Sequence, residues 1–411
     1  MSGFVKKVIP RLETILRVSE ALKFPWLDNI KTLELNDSTG ERIANSIYSD
    51  SSYPSKSRSL RDGFAVQSRD VLSATSATPS FLKKIEEVEM GNSPSFEVGM
   101  GEAAPIPTGG ILPAGSDTVV MLENTSEISG YVEIRKGVQS GDNIIVAGED
   151  ITSGEKVLGR GELINSSTIG IMATLGINSI SVFNLSITVL STGDEVVPVK
   201  TCPLPEGKIR DVNSYSIVSI LKQHGFDAKY KGIVSDKLEE LHRRVKEELS
   251  NCDILILSGG SSVGIRDYSF EVLNSLDYPG LITRGINIAP GKPTLIGGSL
   301  KNKKLVISLP GHPLSCITVA YVVVLPLLLK LIGAEKETYG HRLNLQLSKD
   351  LVATSGVEEF IPCKIDEMGK VIPLLGKSGY ISILADSNGF IRIPENRETL
   401  RMGDYVEVWL W

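Results

Sequence analysis

The hydrophobic and polar positions of the chain change their period more than once along its length. Near the N-terminus, Leu12–Leu22 repeats at helical spacing, which predicts an amphipathic helix that ends before Pro25. The residues at this spacing are Leu12, Ile15, Leu16, Ser19 and Leu22. From about residue 32 to 146, short β-rich runs alternate with Gly, Pro and Ser turns, and this pattern predicts a β domain. The clearest runs are Lys84–Val88, Thr118–Leu122 and Tyr131–Arg135.

After about residue 186 the pattern changes to strands that alternate with helices. The predicted strands are Ile187–Leu190, Ala228–Val234, Asp253–Leu257 and Lys304–Ser308, and the predicted helices are Ser214–Gln223 and Lys237–Leu249. This alternation is typical of βαβ units around a parallel sheet. The C-terminal part returns to short strands, which predicts a small β domain. These strands are Phe360–Ile365, Phe390–Ile393 and Tyr405–Leu410.

One stretch is apolar enough to raise the question of a membrane span. Ile317–Leu329 is shorter than the roughly 20 residues that a helix needs to cross a bilayer. It contains Pro326 and is followed by Lys330, so we predict a buried core helix instead. The N-terminus lacks the continuous apolar core of a signal peptide, and we expect no membrane association.

Composition and charge narrow the function classes. Apolar residues make up 41% and charged residues 22% of the 411 residues, which is ordinary for a globular protein. Acidic residues number 49 against 43 Lys and Arg, giving a net charge of −6, which argues against a nucleic-acid binder. The four cysteines have neither metal-ligand spacing nor the density of a disulfide scaffold, which fits a reducing cytoplasm.

Three polar loops follow predicted parallel strands directly. They are Ser191–Glu195, Ser258–Gly264 and Pro310–Pro313. Ligands of open α/β sheets bind at the carboxyl ends of the strands, so we expect these loops to converge on one crevice. The second loop is rich in glycine and serine, and its N–H groups and hydroxyls suit a phosphate. It lacks the P-loop spacing, and the alternative is a tight turn without a ligand. Its candidate residues are Gly259, Gly260, Ser261, Ser262 and Gly264.

Carboxylates cluster around these loops. Glu195 ends the first loop, Asp211 precedes a predicted helix, and Asp267 lies three residues past Gly264. Oxygen ligands beside a phosphate site are what Mg²⁺ selects. The alternatives are a helix N-cap for Asp211 or Asn213 and a solvated loop charge for Glu195.

Other candidate side chains stand in turns. Lys292 lies between two prolines and is a candidate anion contact, with a solvated lysine as the alternative. His312 follows a strand and could donate a hydrogen bond, or it could be structural. Asp62 and Thr108 lie in the β region, and turn chemistry alone could explain both of them.

Together these motifs resemble the MoeA family, the molybdopterin molybdenumtransferases, which the E domain of gephyrin also represents. They occur in the order of the family and span most of the chain. The matching stretches are LRDGFAV (60–66), PTGGILPAGSDTVVMLE (107–123), AGEDI (147–151), LSTGDEV (190–196), RDVNS (210–214), LSGGSSVGIRDY (257–268), PGKP (290–293) and LPGHPLS (309–315).

The resemblance implies an elongated, multidomain α/β plus β protein. It implies a connecting domain of residues 1–45 and 146–180 and an inserted β domain of residues 46–145. A MogA-like, parallel-sheet α/β molybdopterin-binding domain of residues 181–333 and a C-terminal β domain of residues 334–411 would follow. Family members are dimers, with each cleft shared between the α/β domain of one subunit and the inserted domain of the other.

The resemblance also implies the reaction and its residues. The family cleaves adenylated molybdopterin, inserts molybdate into the dithiolene and releases AMP, in a reaction that requires Mg²⁺. For this chain the oxyanion would be molybdate or tungstate. By position, the candidate catalytic residues are Asp62, Thr108, Glu195 and Asp267, and the candidate metal ligands are Glu195, Asp211 and Asp267. The candidate residues for binding the pterin nucleotide and the oxyanion are Asp150, Asp211, Asn213, Gly259, Gly260, Ser261, Ser262, Gly264, Lys292, Pro293, His312 and Ser382.

Two positions depart from the family pattern. The family often has Lys where this chain has Ala289 and Arg where it has Val357, and both cations are associated with oxyanion binding. Lys292 and Ser382 remain, and His312 would compensate if protonated. Three alternatives therefore stay open. They are a divergent paralogue with altered or absent insertion activity, a nucleotide enzyme like the molybdopterin adenylyltransferases, and a non-enzymatic scaffold.

Overall fold

The computed structural model describes residues 8–23, 26–259, 268–336 and 340–411. The chain forms two compact units. One unit is Ser46–Leu158, and the other combines Met1–Asn45 with Gly159–Trp411. The division into four domains at residues 45, 145, 180 and 333 stays a prediction.

A six-stranded sheet is the centre of the larger unit. Its strands, in order across the sheet, are Ala228–Val234, Ile187–Thr192, Ile254–Ser258, Lys304–Leu309, Leu295–Ser299 and Pro279–Arg284. The first four are parallel, which confirms the α/β sheet expected from the sequence. The fifth strand, Leu295–Ser299, pairs antiparallel with its neighbours on both sides. Neither this strand nor the edge strand Pro279–Arg284 was predicted. The central strands are buried almost throughout, as continuous apolar runs in parallel sheets are.

Helices pack against this sheet. They are Asn213–Gln223, Leu238–Leu249 and Tyr268–Asn274, with Pro313–Val319 and Leu325–Leu331 flanking a wider π-helical turn at Ala320–Val324. Among the described residues, Pro313–Leu331 is the one helix long and apolar enough to cross a membrane, but it is buried almost completely inside the protein. The expected core helix is therefore confirmed.

The π-helical turn has a local cause in Pro326. This proline has no N–H to donate to the carbonyl of Val322, one turn earlier. Arg11 Nη1 lies 3.4 Å from that carbonyl oxygen and supplies a donor. A side chain from the N-terminal helix thus satisfies a group that the core helix leaves open.

The N-terminal helix spans Arg11–Leu22, as expected, but its buried face differs from the predicted one. Leu12 and Leu16 are 61% and 48% exposed. The buried side is formed by Arg11, Thr14, Ile15, Val18, Ser19 and Leu22. On this buried side, Arg11 forms an ion pair with Glu358 and lies over the ring of Trp409.

A short antiparallel pair joins the N-terminal segment to the region before the α/β sheet. Ile30–Glu34 pairs with Ser179–Phe183, and the helix Ser166–Thr174 begins with a capping box at Asn165. The buried Arg42 guanidinium donates to the backbone oxygens of His224 and Gly161, each at 2.6 Å. Burial lowers the pKa of Arg42 to about 10, which still leaves it charged at neutral pH.

The C-terminal strands form a second sheet in the larger unit. In order, they are Ile288–Ala289, Glu358–Ile365, Gly389–Ile393, Tyr405–Leu410 and Arg342–Gln346, with Val371–Pro373 beside Glu358–Ile365. The predicted C-terminal β region is confirmed, and it shares a hydrophobic core with the α/β region. Its Phe360, Phe390 and Trp409 belong to the same core as the helix Pro313–Leu331, and its first strand comes from the α/β region.

Smaller elements complete this unit. They are the turn of 3₁₀ helix Leu35–Asp37, the parallel pair Val196–Val197 and Ile209–Arg210, the antiparallel pair Leu351–Val352 and Thr399–Leu400, and the short helix Ser382–Ala385.

The smaller unit contains a six-stranded, mostly antiparallel sheet. Its strands, in order, are Thr118–Met121, Gly63–Val66, Glu102–Ile106, Ser80–Lys84, Tyr131–Ile134 and Thr125–Ile128. The β region was thus predicted correctly, but the run Lys84–Val88 was placed wrongly because the strand ends at Lys84. Its remaining elements are Ile47–Tyr48 with Lys156–Leu158, Arg58–Ser59 with Ile144–Ile145, the helix Ser68–Val71 and the 3₁₀ turn Leu122–Asn124.

Candidate functional site

A cavity of about 1050 Å³ lies at the carboxyl ends of the parallel strands. The loops after Ile187–Thr192 and Lys304–Leu309 reach it, together with the described start of the loop after Ile254–Ser258. Its polar lining includes Ser191, Thr192, Asp194, Glu195, Asp211, Asn213, Asp236, Ser258, Ser269 and His312. The polar side chains of the described loops in the larger unit therefore line one cavity, as expected from the sequence.

Asp211 is a buried carboxylate with one committed and one free oxygen. Its side chain is only 4% exposed, and Oδ1 accepts a hydrogen bond from the backbone N–H of Ser214 at 3.2 Å. Its Oδ2 is buried as well and has no hydrogen-bond partner among the described residues, and the residue lies in the cavity wall. Burial and, next, the charge of Asp211 raise the pKa of the neighbouring Tyr230. Asp211 thus accepts a hydrogen bond at the start of a helix and also lies in the cavity wall, so the two interpretations of the sequence are compatible.

Asn213 ties two of the loops together. Its Nδ2 donates to the backbone oxygen of Gly311 at 2.8 Å, which fixes the start of its helix to the loop that carries His312. Its Oδ1 is buried and without a hydrogen-bond partner in the described part of the chain. A buried acceptor without a partner is uncommon in proteins, and Asn213 itself lies in the cavity wall.

Three acidic side chains stand at one side of the cavity. Asp194 and Glu195 are exposed residues of the first loop, and Asp236 follows the edge strand Ala228–Val234. The backbone N–H of Asp236 donates to Asp194 Oδ1 at 3.1 Å. Partial burial, and then the charges of Glu195 and Asp194, raise the pKa of Asp236. Mutual repulsion of this kind is relieved when a cation binds.

Gly259 allows two strand ends to approach closely. Its φ is +102°, and a Cβ there would lie 2.3 Å from the backbone oxygen of Thr192. A larger residue would push the first and second loops apart. The other glycines and serines of the second loop, and Asp267, lie outside the described residues. They are Gly260, Ser261, Ser262, Gly264 and Asp267.

The predicted oxyanion residues lie near the same cavity but not all in its wall. Pro293 and His312 line it, whereas Lys292 is exposed in the adjoining turn and Ser382 is exposed at the start of its helix. The two departures from the family pattern come together on one sheet. Ala289 pairs with Glu359, and Val357 immediately precedes that strand.

The remaining predicted residues belong to the smaller unit. Asp62 Oδ1 accepts a hydrogen bond from the backbone N–H of Thr108 at 2.7 Å, so two motifs 46 residues apart meet there. Both residues are exposed, and so is Asp150. The structure thus joins Asp62 to Thr108.

Asp236 was missed by the sequence reasoning, although a signal for it existed. It follows the parallel strand Ala228–Val234 by two residues, and the rule that ligands bind at strand ends applies there as well. Two other atoms, Thr192 Oγ1 and Ser269 Oγ, are buried and have no hydrogen-bond partner among the described residues. Nothing in the sequence pointed to them, because the lack of a partner depends on how the surrounding residues pack. Ile381, from the C-terminal region, also reaches the cavity.

Family models match the chain along most of its length. The MoeA N-terminal region (domain I and II) matches residues 11–176, a probable molybdopterin-binding domain matches residues 188–330, and the MoeA C-terminal region (domain IV) matches residues 344–411. A protein of Methanocaldococcus jannaschii named for molybdopterin biosynthesis is 33% identical over 416 residues, covering 99% of both chains. The chain belongs to the MoeA family.

Other relatives of this MoeA-family chain agree. A molybdopterin molybdenumtransferase of Staphylococcus epidermidis is 30% identical over 406 residues, which cover 97% of this chain and 96% of the relative. A crystal structure of a MoeA molybdopterin biosynthesis protein from Pyrococcus horikosii has a TM-score of 0.72 and 32% identity, with 98% of this chain and 99% of that one covered. The chain is therefore a transferase of the molybdopterin molybdenumtransferase family, which acts in molybdenum cofactor biosynthesis.

Proposed function

We propose that the chain inserts molybdate into adenylated molybdopterin, with release of AMP and dependence on Mg²⁺. The observation that carries the proposal is the buried carboxylate of Asp211, which lies in the wall of the same cavity as Glu195 and Asp236 and whose Oδ2 has no hydrogen-bond partner among the described residues. A cavity of this size accommodates a nucleotide-sized ligand. Unpartnered Thr192, Asn213 and Ser269 atoms in its wall offer further polar contacts.

The side chains fit Mg²⁺ when it is bound together with a phosphate. All candidate donors are carboxylate oxygens, which this hard cation prefers. No cluster of three acidic, histidine or cysteine residues that could hold a metal by itself occurs within the described ranges, which exclude Asp267. Mg²⁺ commonly uses one or two carboxylates plus substrate phosphates, so Glu195 and Asp211, or Asp267, would hold it on the adenylate. Bound there, the ion would neutralise phosphate charge.

The residues of this chain would divide the remaining work. The glycine-rich loop Ser258–Gly264 would bind the phosphates through its backbone N–H groups. Asn213 would orient the pterin nucleotide through Oδ1, since its Nδ2 is already fixed by Gly311. Lys292, with Ser382 and His312, would hold the oxyanion, which is the substrate to be inserted.

A second function is favoured by the uncharged Ala289 and Val357. A paralogue that binds the pterin nucleotide but inserts an altered oxyanion, or none, would retain the carboxylates and lose the cations. Such a protein would bind adenylated molybdopterin tightly without turning it over.

The decisive experiment follows AMP release and the formation of active cofactor. The full chain is incubated with adenylated molybdopterin, Mg²⁺ and either molybdate or tungstate. We expect AMP release that requires both Mg²⁺ and the oxyanion. Tight binding of the nucleotide without release, under conditions in which a family enzyme turns over, would favour the second function.

We further propose that the chain acts as a homodimer in which Asp62 and Thr108 of one subunit serve a site completed by Glu195 of the other. This proposal rests on the resemblance to the family. A cytoplasmic location belongs to it as well, since all four cysteines are free.

Hybrid dimers test the shared site. We expect chains with Asp62→Asn and chains with Glu195→Gln each to be inactive, and we expect their mixture to recover up to about a quarter of the normal AMP release, because each heterodimer would contain one site with both native residues. Size and activity are measured after the two chains are unfolded and refolded together. No recovery, with heterodimers confirmed by mass, would contradict a shared site.

A further inference from the structure

The turn that carries Lys292 is closed by its own hydrogen bonds. The N–H of Ile286 donates to the backbone oxygen of Lys292 at 3.0 Å, and that of Gly285 donates to Thr294 at 2.9 Å. Thr294 Oγ1 donates to the backbone oxygen of Gly291 at 2.7 Å. The lysine thus projects from a rigid loop of residues 285–294.

The base of this loop rests on the core helix. Gly291 has a φ of +127°, and a Cβ there would lie 2.4 Å from Cγ2 of Val319. Lateral movement of the loop is therefore limited on one side by the helix Pro313–Val319.

Two further segments hold the other sides of the loop. The N-terminal residue Ile9 accepts from the N–H of Asn287 at 2.8 Å and donates to Gly285 at 3.4 Å. The strand Ile288–Ala289 pairs in parallel with Glu358 and Glu359, and the N–H of Glu358 donates to the oxygen of Asn287 at 3.4 Å.

Glu358 fastens these segments together through its side chain. Its carboxylate is buried and accepts two hydrogen bonds from Arg11, at 2.8 and 3.0 Å, and one from Arg392 at 2.6 Å. These two arginines hold the pKa of Glu358 below its usual value in spite of the opposing effect of burial. Arg11 is itself held, since its guanidinium lies 4.9 Å from the ring centre of Trp409.

We propose that Glu358, which accepts hydrogen bonds from Arg11 and Arg392, is a positioning residue. It holds the turn so that Lys292 can contact the oxyanion. The proposal rests on the proposed function, because it takes molybdate as the ligand of Lys292. Glu358 does not touch the ligand. It acts by joining the N-terminal helix, the strand before the turn and the C-terminal sheet.

Electrostatics and positioning predict opposite signs for one substitution. Glu358→Gln removes a negative charge from the strand that pairs with the segment before the Lys292 turn, so charge alone would tighten molybdate binding. If Glu358 positions the turn, the same substitution weakens its hydrogen bonds with two arginines, lets the turn move and weakens molybdate binding. We expect calorimetry with molybdate alone to show an affinity about three- to tenfold lower.

A double-mutant cycle separates positioning from a general loss of structure. We expect Lys292→Met to weaken molybdate binding about tenfold, and Glu358→Gln to have less than a twofold effect in the Lys292→Met background. Glu407→Gln is the matched control, because Glu407 also pairs with Arg392 but lies on a strand that does not pair with the turn. It should change the affinity less than twofold.

Arg11→Lys serves if Glu358→Gln does not fold, since it keeps the charge and loses the paired hydrogen bonds. It should also weaken binding, whereas electrostatics alone predicts no change. Tighter binding in Glu358→Gln, equal losses in both backgrounds, or an unchanged affinity in Arg11→Lys would overturn the positioning role. An unchanged affinity in Lys292→Met would instead overturn the molybdate site itself.

Discussion

Glu195→Gln is expected to lower the rate of AMP release by about two orders of magnitude, because Glu195 would hold the Mg²⁺ that contributes several kcal/mol of charge stabilisation at the reacting phosphate. The free energy of unfolding should change by less than about 1 kcal/mol, because Glu195 is exposed and no hydrogen bond of its side chain is described. Steady-state assays of AMP release and chemical denaturation check both parts. Raising the Mg²⁺ concentration should recover part of the rate, since the substitution weakens the binding of the ion.

Two other substitutions serve as comparisons for Glu195→Gln, one at a buried carboxylate of the cavity and one at an exposed carboxylate outside it. Asp211→Ala should lower both activity and stability, the latter by about 1 kcal/mol, because Asp211 Oδ1 also accepts the N–H of Ser214 at the start of a helix. Glu239→Gln removes an exposed carboxylate from a neighbouring helix and should change neither quantity. Full activity of Glu195→Gln at limiting Mg²⁺ would show that Glu195 is only a solvated loop charge.

The second large effect is expected from returning the two missing cations. Ala289→Lys combined with Val357→Arg should tighten molybdate binding by about 10²-fold, since a hydrogen bond to a charged group contributes about 1.5–3 kcal/mol. Both positions are half-buried and come together where Ile288–Ala289 pairs with the strand Glu358–Ile365. Calorimetry with molybdate should show a gain that shrinks as salt rises, as expected for partly exposed charges.

A control with equal net charge distinguishes local contacts from a general field. Val352→Arg with Met368→Lys adds two cations at positions that are 80% and 84% exposed. This variant should bind molybdate as the native chain does. Tight binding by the native chain, unchanged by Ala289→Lys and Val357→Arg, would mean that these two departures from the family do not weaken the site.

The pattern of apolar runs predicts the parallel part of the central sheet and the edge at which ligands bind. Three of the four parallel strands are apolar on both faces, so their runs are visible without any partner. The loops that follow them must lie at one edge of the sheet, which is why Glu195, Asn213, Gly259 and His312 were found near one cavity. The order of the motifs along the chain is that of the MoeA family and indicates the family without a structure.

The meeting of residues far apart in the chain follows from packing, which no local pattern contains. Arg11 and Glu358 are 347 residues apart, and they pair on the buried side of the N-terminal helix while Leu12 and Leu16 face outward. Helical periodicity predicts an apolar side, but it does not show that a buried arginine shares that side. The free oxygen of Asp211 could not be predicted either, since a buried oxygen lacks a partner only through the packing of every neighbour around it.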